Sequence, residues 1–358
     1  MKQTKRSLTN FWHDVVPESV WLFLLVCNRF AKRSARHFFA QNPCQKDVRH
    51  LLALIIFFFA ACGPSVSVPS STPDTSISAH TQTKELLLRM IVIDVGQGDA
   101  IVLITPQKEA ILIDSGNTLL GGTRVLNVLH QEEIQLLSRI LVTHYHEDHI
   151  GGIAEIVRQY QPSDGYFDRG RDDLPITASY KTYENIAKEK RTALVSGDQF
   201  TFGESSFHVF VEETDSDDEN SRSLTFLVTI GDHRLFLSGD ITGGGGNPPF
   251  QTLDLETALG SEIGDIDILK VAHHGSHTST NTDFLAHTTP EIALISVGND
   301  NEYFHPHPSV IDRLIASGIE VYQTEKGFAD RSDVHIANGN IVIDFFQHDY
   351  EISIQKSE

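Results

Sequence analysis

The chain has 358 residues, of which 40% are hydrophobic, so it is long enough for one large domain or two ordinary domains with a proper core. Residues 1–62 contain nine Lys/Arg and three Asp/Glu, and with a total net charge of −20 the remainder carries about −26. The negative charge of the chain after residue 62 argues against tight binding to nucleic acid or to an anionic membrane surface, since no block of Lys/Arg follows residue 62.

An apolar run near the N-terminus predicts a secretion signal. Residues 51–61 are unbroken apolar residues that end at Cys62. Eleven helical residues span roughly 16 Å, about half a bilayer core, which is short for a membrane anchor and typical of a signal peptide. The sequence FAAC is similar to a bacterial lipoprotein signal in which Cys62 is lipidated, although Phe59 departs from the usual aliphatic residue. We therefore expect an extracytoplasmic, membrane-anchored lipoprotein, with an uncleaved hydrophobic anchor as the alternative.

The segments on either side of this run also differ from a folded domain. Residues 1–47 form an unusually long, basic extension, and one hypothesis is that translation starts at Val48. Residues 63–83 are rich in Ser, Thr and Pro and predict a flexible tether. No cysteine follows Cys62, so the body over residues 84–358 has neither disulfides nor a cysteine-based zinc finger.

The body has the pattern of one mixed α/β domain. A helix is predicted over residues 123–135, and another begins at Ile150. A two-residue turn at Gly231-Asp232 predicts a hairpin between two of the strands. The apolar runs that predict strands are residues 86–94, 100–104, 110–114, 140–143, 206–211, 224–230, 234–238, 266–272 and 292–297.

The stretch LVTHYHEDH, residues 141–149, predicts a metal site. It places His144, His146, Asp148 and His149 within six residues at the end of a buried strand. Imidazole nitrogen and carboxylate oxygen suit zinc, manganese or iron. Four ligands from one segment exceed what a single catalytic ion with an open water position takes, so the pattern predicts two ions a few ångströms apart.

Two later strand ends supply further ligands. Asp240 follows the strand FLSG, and the pair His273-His274 follows LKVA. Polar residues at strand ends are held in place by a rigid sheet, as active-site residues commonly are. Asp240 taken alone is equally well explained as a turn residue, and the combination with residues 144–149 is what predicts a shared site.

These motifs resemble those of the metallo-β-lactamase superfamily, whose HxHxDH motif is THYHEDH here. More narrowly, the chain is similar to the C-terminal hydrolase domain of the ComEC-type DNA-uptake proteins of competent bacteria, as a stand-alone domain without the channel. The resemblance implies an αββα sandwich of the α/β (α+β) class, with two mixed sheets and helices outside. The matching stretches are IDVGQGDAIVL (93–103), ILIDSG (111–116), LVTHYHEDHIGG (141–152), SLTFLVTIGDHRLFLSGD (223–240), ILKVAHHGSHTSTN (268–281) and NEYFHPHPSVIDRL (301–314).

The resemblance also implies a ligand set. His144 and His146 would hold the first ion, Asp148 and His149 the second, and Asp240 would bridge them. His273 would complete the set, with His274 as the alternative. The superfamily usually supplies one more histidine before the strand pair that ends in Gly-Asp, and residues 217–224 contain none; Asn220 is a polar candidate there. The first ion is then weakly held, or is manganese, which tolerates more oxygen ligands. We accordingly expect two divalent ions, Zn²⁺ or Mn²⁺.

The remaining candidates concern catalysis and support of the site. The catalytic candidates are Asp148, which accepts a hydrogen bond from the nucleophile, His274, and His305, which acts as a general acid or binds phosphate. His307 is the second choice after His305, and a structural role for either is the alternative. Supporting residues are Asp94, Asp99 and Asp114, for which a role in turns is just as consistent.

The function implied is hydrolysis, with a hydroxide shared by two ions attacking the substrate. The family favours a phosphodiester, and the acidic body favours a small or cell-envelope phosphodiester over long nucleic acid. The alternatives are hydrolysis of a carboxylic ester, lactone or β-lactam, and a catalytically silent, metal-containing binding protein, which the absent histidine supports.

Overall fold

The computed structural model describes residues 84–211, 216–248, 251–299 and 301–357. The predictions for the leader segment 1–62, including Cys62, and for the linker 63–83 lie outside the described residues. No helix within these ranges combines the length and the apolar character needed to cross a membrane.

Two eight-stranded sheets form the centre of the fold. The first sheet has the order β16-β15-β1-β2-β3-β4-β5-β6, and the second has the order β14-β13-β12-β11-β10-β9-β8-β7. The strands are β1 (Leu88–Val92), β2 (Ile101–Ile104), β3 (Glu109–Ile113), β4 (Leu136–Leu141), β5 (Gly165–Asp168), β6 (Arg191–Ala193), β7 (Gln199–Phe202), β8 (Ser205–Val211), β9 (Leu224–Ile230), β10 (His233–Leu237), β11 (Ile268–Lys270), β12 (Ile292–Ile295), β13 (Glu320–Gln323), β14 (His335–Ile336), β15 (Gly339–Phe345) and β16 (Tyr350–Lys356).

Each sheet is mixed, with one parallel and one antiparallel half. In the first sheet β3, β4, β5 and β6 run parallel, and in the second sheet β10 to β14 do. The described helices are α1 (Gly121–Gln131), α2 (Glu147–Ile150), α3 (Ile153–Ile156), α4 (Ala178–Ala187), α5 (Glu256–Ile263), α6 (Thr282–Thr288) and α7 (Pro308–Ala316). Short 3₁₀ turns occur at Lys188–Lys190, Asn220–Arg222 and Ala272–Gly275.

Alternation along the strands explains the layers. On β1, Met90 and its neighbours two residues away face the second sheet, whereas Ile91 faces the helices, because successive side chains point to opposite faces. Met90 belongs to the core between the sheets, together with Phe207 and Leu235 of the second sheet. Helices α1 to α4 cover the outer face of the first sheet, and α5 to α7 cover that of the second. The predicted αββα sandwich is thereby confirmed.

Several elements were not anticipated from the sequence. The predicted strand list ended at residue 297, but β13 to β16 follow it, and β5, β6 and β7 lie in a region where no strand was expected. The helix predicted over 123–135 spans Gly121–Gln131 because β4 already begins at Leu136. A helix is predicted to begin at Ile150, but α2 ends at that residue and α3 begins at Ile153, after Gly151 and Gly152.

Candidate metal centre

The candidate centre lies where parallel strands of both sheets end. Asp114 follows β3, and the segment containing His144 and His149 follows β4. Asp240 follows β10, and His274 follows β11. The carboxyl ends of neighbouring parallel strands meet at one sheet edge, so distant parts of the chain contribute to one site.

Asp240 occupies the middle of this cluster. Its carboxylate is 2% exposed. From its Oδ2 atom the distances to histidine Nε2 atoms are 3.4 Å for His149, 3.6 Å for His274, 3.8 Å for His144 and 3.9 Å for His273. This oxygen lies among four imidazole nitrogens, so Asp240 could serve as a metal ligand together with any of these histidines.

Asp114 orients one of these histidines. Its Oδ2 accepts a hydrogen bond from His149 Nδ1 at 2.8 Å, and its Oδ1 accepts one from the backbone N–H of Thr143 at 2.9 Å. The Thr143 hydroxyl donates to Asp114 Oδ2 at 2.7 Å and lies 3.1 Å from His144 Nδ1. Both imidazoles therefore engage Nδ1 outside the centre and direct Nε2 into it, the arrangement that metal-binding histidines require.

His274 has an equivalent support, which consists of Asp99, a supporting candidate from the sequence, and of Ser296 and Lys270, which were not predicted. Its Nδ1 lies 3.1 Å from the carbonyl oxygen of Ser296 and 3.3 Å from Asp99 Oδ1. The other oxygen of Asp99 accepts a hydrogen bond from Lys270 Nζ at 2.7 Å, with both side chains buried. Lys270, within the otherwise apolar run ILKVA (268–272), was the available signal, since a lone charge within a buried strand needs a partner.

The turn before β2 reaches the same place. Gly98 has a φ of +131°, and a Cβ added there would lie 2.3 Å from the carbonyl oxygen of Asp148. The Ser296 hydroxyl donates to the carbonyl of Gly98 at 2.6 Å, which ties this turn to the end of β12 in the other sheet. The glycine of the VGQGD stretch is therefore required by close approach, and it positions Asp99.

His273 and His274 both adopt left-handed backbone conformations, with φ of 51° and 54°. His274 is buried, whereas the side chain of His273 is 23% exposed and its Nε2 lies 3.3 Å from Asn220 Nδ2. Two successive left-handed residues are uncommon and mark a backbone held by its surroundings. From the sequence, His273 is the predicted ligand and His274 the alternative. The structure places His274 within the groups of potential ligands and His273 at their margin beside Asn220, so that preference stays a prediction that the geometry does not favour.

Three residues of the HxHxDH segment differ in exposure. His144 is fully buried, His146 is exposed, and the side chain of Asp148 is 25% exposed. His146 Nδ1 lies 3.0 Å from His144 Nε2, and Asp148 Oδ2 lies 3.3 Å from His274 Nε2. The centre is thus open to solvent on the side of His146 and Asp148 and closed on the side of His144.

The charges in the site depend strongly on one another. Burial by itself disfavours an imidazolium, but the carboxylates of Asp240 and Asp99 outweigh it and raise the pKa of His274 to about 10. The same balance, with Asp240 and Asp114 as the main carboxylates, raises the pKa of His149 well above its usual value. For Asp240, burial acts upward but is outweighed by His149 and His274, which hold the pKa well below the ordinary range. In the metal-free protein, protons on His149 and His274 therefore balance the carboxylates, whereas burial lowers the pKa of His144 well below its usual value.

The residues present fit divalent metal ions. Among the residues that the structure describes, the buried atoms His149 Nε2, His274 Nε2 and Asp240 Oδ1 have no hydrogen-bond partner. Buried polar atoms of this kind call for a ligand. The groups whose ligand atoms lie within 4.8 Å of one another are His144/His149/Asp240, Asp148/His149/His274, Asp99/Asp114/His149 and Asp99/Asp240/His274.

The other candidates lie either at the margin of the centre or outside it. His305 lies at the margin, with its ring 5.3 Å from that of His273, and burial lowers its pKa to about 2. His307 lies farther out and pairs with His277, Nε2 to Nδ1, at 3.1 Å. Asp94 is not brought into the centre: its carboxylate accepts a hydrogen bond from Arg124 Nη1 at 2.9 Å.

The sequence is similar to proteins of one large superfamily. The family model described as "Metallo-beta-lactamase superfamily" matches residues 93–298. ComE operon protein 3 of Bacillus subtilis is 28% identical over 257 residues, which cover 66% of this chain and 31% of that protein. Recombination protein 2 of Haemophilus influenzae is 29% identical over 265 residues, covering 73% of this chain and 29% of that protein. The chain thus matches about a third of the length of these curated relatives.

Two further similarities are shorter or weaker. Exodeoxyribonuclease YycJ of Bacillus anthracis is 26% identical over 160 residues, covering 40% of this chain and 55% of that protein. Among solved structures, the metallo-β-lactamase-fold protein YhfI from Bacillus subtilis superposes with a TM-score of 0.43 at 13% identity, covering 67% of this chain and 98% of that one. Because the family model covers more than half of the sequence, the chain belongs to the metallo-β-lactamase superfamily.

Proposed function

We propose that this protein is a two-metal phosphodiesterase that acts outside the cytoplasm, with Zn²⁺ or Mn²⁺ as its ions. The observation that carries the metal chemistry is the convergence of His144, His149, His274 and Asp240. Within the described part of the chain, His149 Nε2, His274 Nε2 and Asp240 Oδ1 are buried without a hydrogen-bond partner. A pair of divalent ions, when bound, supplies Lewis acidity and an activated water. His144 and His146 would hold one ion, and Asp148, His149 and His274 the other, with Asp240 between them.

The protein's own residues would orient the substrate and form hydrogen bonds with the attacking water and the leaving group. Asp148 is partly exposed at the open side, so its free oxygen can accept a hydrogen bond from an attacking water. His305 has a lowered pKa of about 2 and is neutral, so its buried, unpartnered Nδ1 can donate or accept one hydrogen bond at the leaving-group side. Asp114 and Asp99 fix the imidazoles beneath, which keeps the ligand atoms in place during turnover.

Similarity to other proteins supports the choice of a phosphodiester. The relatives with the longest matches are competence and recombination proteins, and another is an exodeoxyribonuclease. The acidic composition of the chain favours a short substrate over long nucleic acid. Hydroxyacylglutathione hydrolase of Edwardsiella ictaluri, 41% identical over 59 residues, is named for a carboxylic thioester, so a carboxylic ester or thioester is the alternative to exclude.

The test combines an activity assay with metal analysis of the purified protein. Hydrolysis of bis(4-nitrophenyl) phosphate in the presence of Zn²⁺ or Mn²⁺, without turnover of nitrocefin or a lactone, is the expected result. Asp240→Asn should lower both the metal content and the rate, the latter by at least about a hundredfold, the scale for loss of electrostatic stabilisation in a transition state. His287→Gln removes an exposed histidine on α6 and should change neither. Turnover of the lactone or nitrocefin alone would replace the phosphodiester, and full metal content without any turnover would indicate a binding protein.

The location outside the cytoplasm rests on the sequence of the leader. The apolar run at residues 51–61 and the following Cys62 support lipid attachment at Cys62, with residues 63–83 as a tether. Labelling of the protein with a fatty acid in a bacterial host, and its loss in Cys62→Ser, is the expected result. Membrane retention of Cys62→Ser without label would instead favour an uncleaved anchor.

A further inference from the structure

Three exposed aromatic side chains lie near the candidate metal centre. The exposed fractions are 60% for Tyr303, 57% for Phe304 and 51% for Phe328. Phe304 and Phe328 meet edge to face with ring centroids 4.7 Å apart. Tyr303 stacks on His305 with centroids 5.7 Å apart and 27° between the ring planes. Packing of the core does not explain rings that remain more than half exposed.

The loop that carries these rings is firmly held. The buried Asn301 donates from Nδ2 to the carbonyls of Gly298 and His305, at 2.7 and 2.8 Å, and accepts from the backbone N–H of His305. The backbone N–H of Phe328 donates to the His305 carbonyl at 3.0 Å. Phe304 has a φ of 62°, a left-handed conformation that a bulky residue seldom adopts. The exposed rings are therefore fixed in place before any ligand arrives, which lowers the entropic cost of binding.

A continuous series of rings connects Tyr303 with the centre. From His305 the ring centroids of His273 and His274 lie 5.3 and 6.2 Å away. Burial, followed by the negative charges of Asp148 and neighbouring glutamates, raises the pKa of Tyr303. The hydroxyl thus lies within the electrostatic reach of Asp148 and remains protonated at neutral pH.

We propose that Tyr303 is a stacking platform for a nucleobase, placed so that the phosphodiester attached to that nucleoside lies at the metal centre. This inference rests on the proposed function and names its substrate class as a short nucleotide diester. The nearby side chains that influence Tyr303 include the acidic Glu147 and Glu302, so this rim does not attract a phosphate backbone. Every nucleobase has a π-face that stacks on an aromatic ring without charge complementarity, whereas a phosphodiester of a lipid headgroup offers no such ring.

The test compares two substrates that release the same product. Thymidine 5′-(4-nitrophenyl phosphate) carries a nucleobase, and methyl 4-nitrophenyl phosphate does not. With the metal-loaded full-length protein we expect kcat/KM about tenfold higher for the nucleoside substrate, within the range for one base–aromatic stack. Tyr303→Ala should raise KM for the nucleoside substrate about tenfold and leave KM for the methyl ester unchanged, while Tyr303→Phe keeps the preference.

A control and a binding measurement separate the outcomes. Leu136→Ala removes an exposed apolar side chain at the opposite end of β4 and should not alter the substrate preference. Equal KM values for the two substrates, or a preference that survives Tyr303→Ala, would overturn the inference while leaving the phosphodiesterase intact. If neither ester is hydrolysed, the proposed function fails, and calorimetric binding of thymidine monophosphate against methyl phosphate decides the inference. If the wild-type protein binds thymidine monophosphate more tightly than methyl phosphate, and Tyr303→Ala abolishes this difference, the inference holds. Equal binding of the two ligands to the wild-type protein would refute it.

Discussion

Lys270 and Asp99 form an ion pair directly beside the candidate metal centre, and solvent hardly reaches it. Their side chains are 1% and 4% exposed, and Nζ and Oδ2 lie 2.7 Å apart. Burial acts to raise the pKa of Asp99, but the charge of Lys270 dominates and lowers it. Since an isolated charge at this depth is unfavourable by several kcal/mol, each group depends on the other, and through Asp99 the pair fixes His274.

Removal of the lysine should therefore be costly for folding. We expect Lys270→Met to lower the free energy of unfolding of the metal-free protein by about 3–5 kcal/mol in urea titrations, because the buried Asp99 loses its nearest counter-charge and keeps only the 3.3 Å contact with His274. The double variant Asp99→Asn/Lys270→Met should regain most of this loss. Lys84→Met is the matched control: Lys84 pairs with Asp349 at the same 2.7 Å but at the surface, where solvent screens the charges, so the free energy of unfolding should change far less. Equal losses for the two lysines would contradict the assignment.

Asp114 supports a candidate metal-binding histidine, whereas Asp94 lies away from the candidate metal centre. Asp114 binds the imidazole of His149, whereas Asp94 binds Arg124. We expect Asp114→Asn to weaken metal binding about 10- to 100-fold, the scale observed for carboxylates behind metal-binding histidines. Asp94→Asn should leave metal affinity unchanged. Competition with a chromogenic chelator measures both, and an equal effect of the two substitutions would count against the orienting role of Asp114.

At the scale of elements, the segment between α5 and α6 depends on one buried carboxylate. Glu256, the first residue of α5, accepts hydrogen bonds from the backbone N–H groups of Thr280 and Asn281 at 2.6 and 2.7 Å. Burial raises its pKa to about 7 despite these bonds. A carboxyl group whose pKa is higher in the folded state contributes stability at low pH that is lost as the pH rises through the folded value.

The pH range of this effect lies between the ordinary pKa of a glutamate, 4.5, and the folded-state pKa of Glu256, about 7. Between about pH 4.5 and pH 7 the folded state binds the proton more tightly than the unfolded state, so the wild-type protein should lose roughly 2–3 kcal/mol of unfolding free energy across it. Glu256→Gln cannot titrate, so its stability should vary less from pH 5 to pH 8. Urea titrations of both proteins at several pH values provide the measurement. Parallel curves for the two proteins would rule out Glu256 as the titrating group.

Prediction from the sequence succeeded where the signal is local. The hairpin turn Gly231-Asp232 was anticipated, and the structure pairs Ile230 with His233 across it. The candidate ligands were identifiable because each follows an apolar run, and strand ends gather at a sheet edge. The pair of Lys270 and Asp99 was not identifiable, since its members are 171 residues apart in sequence and only tertiary packing brings them together. Likewise, β15 and β16 were missed although β15 contains the apolar run Ile341–Ile343. β16 is the edge strand of the first sheet and β15 lies between it and β1, and this pairing depends on the partner strands and not on the local pattern.

At the scale of the whole molecule, the candidate ligands join the two sheets. Asp114 and His149 extend from the first sheet, and Asp240 and His274 extend from the second. The backbone N–H of Leu224 also donates across this junction to the carbonyl of Thr143 at 2.9 Å. A bound ion would therefore stabilise the contact between the sheets as well as the local loops.

Metal should consequently raise global stability. At a free Zn²⁺ concentration of about 100 times Kd we expect the free energy of unfolding to increase by about 2.7 kcal/mol, and a chelator to reverse it. Calorimetry supplies the unfolding temperatures, and hydrogen exchange should slow at the ends of β4, β10 and β11. Asp240→Asn should lose most of the metal-dependent shift. A shift of the same size in Asp240→Asn would show that ions stabilise the protein somewhere else.

The strand order has a consequence for biosynthesis. The second sheet consists of consecutive strands, β7 to β14, whereas the first sheet is completed only when β15 pairs with β1 and β16 adds to β15. Every candidate ligand has left the ribosome long before that closure. A nascent chain interrupted after β14 would contain the full set of candidate metal-binding side chains. It would still expose an unpaired strand edge at β1, so premature termination would yield aggregation-prone fragments rather than a smaller working enzyme.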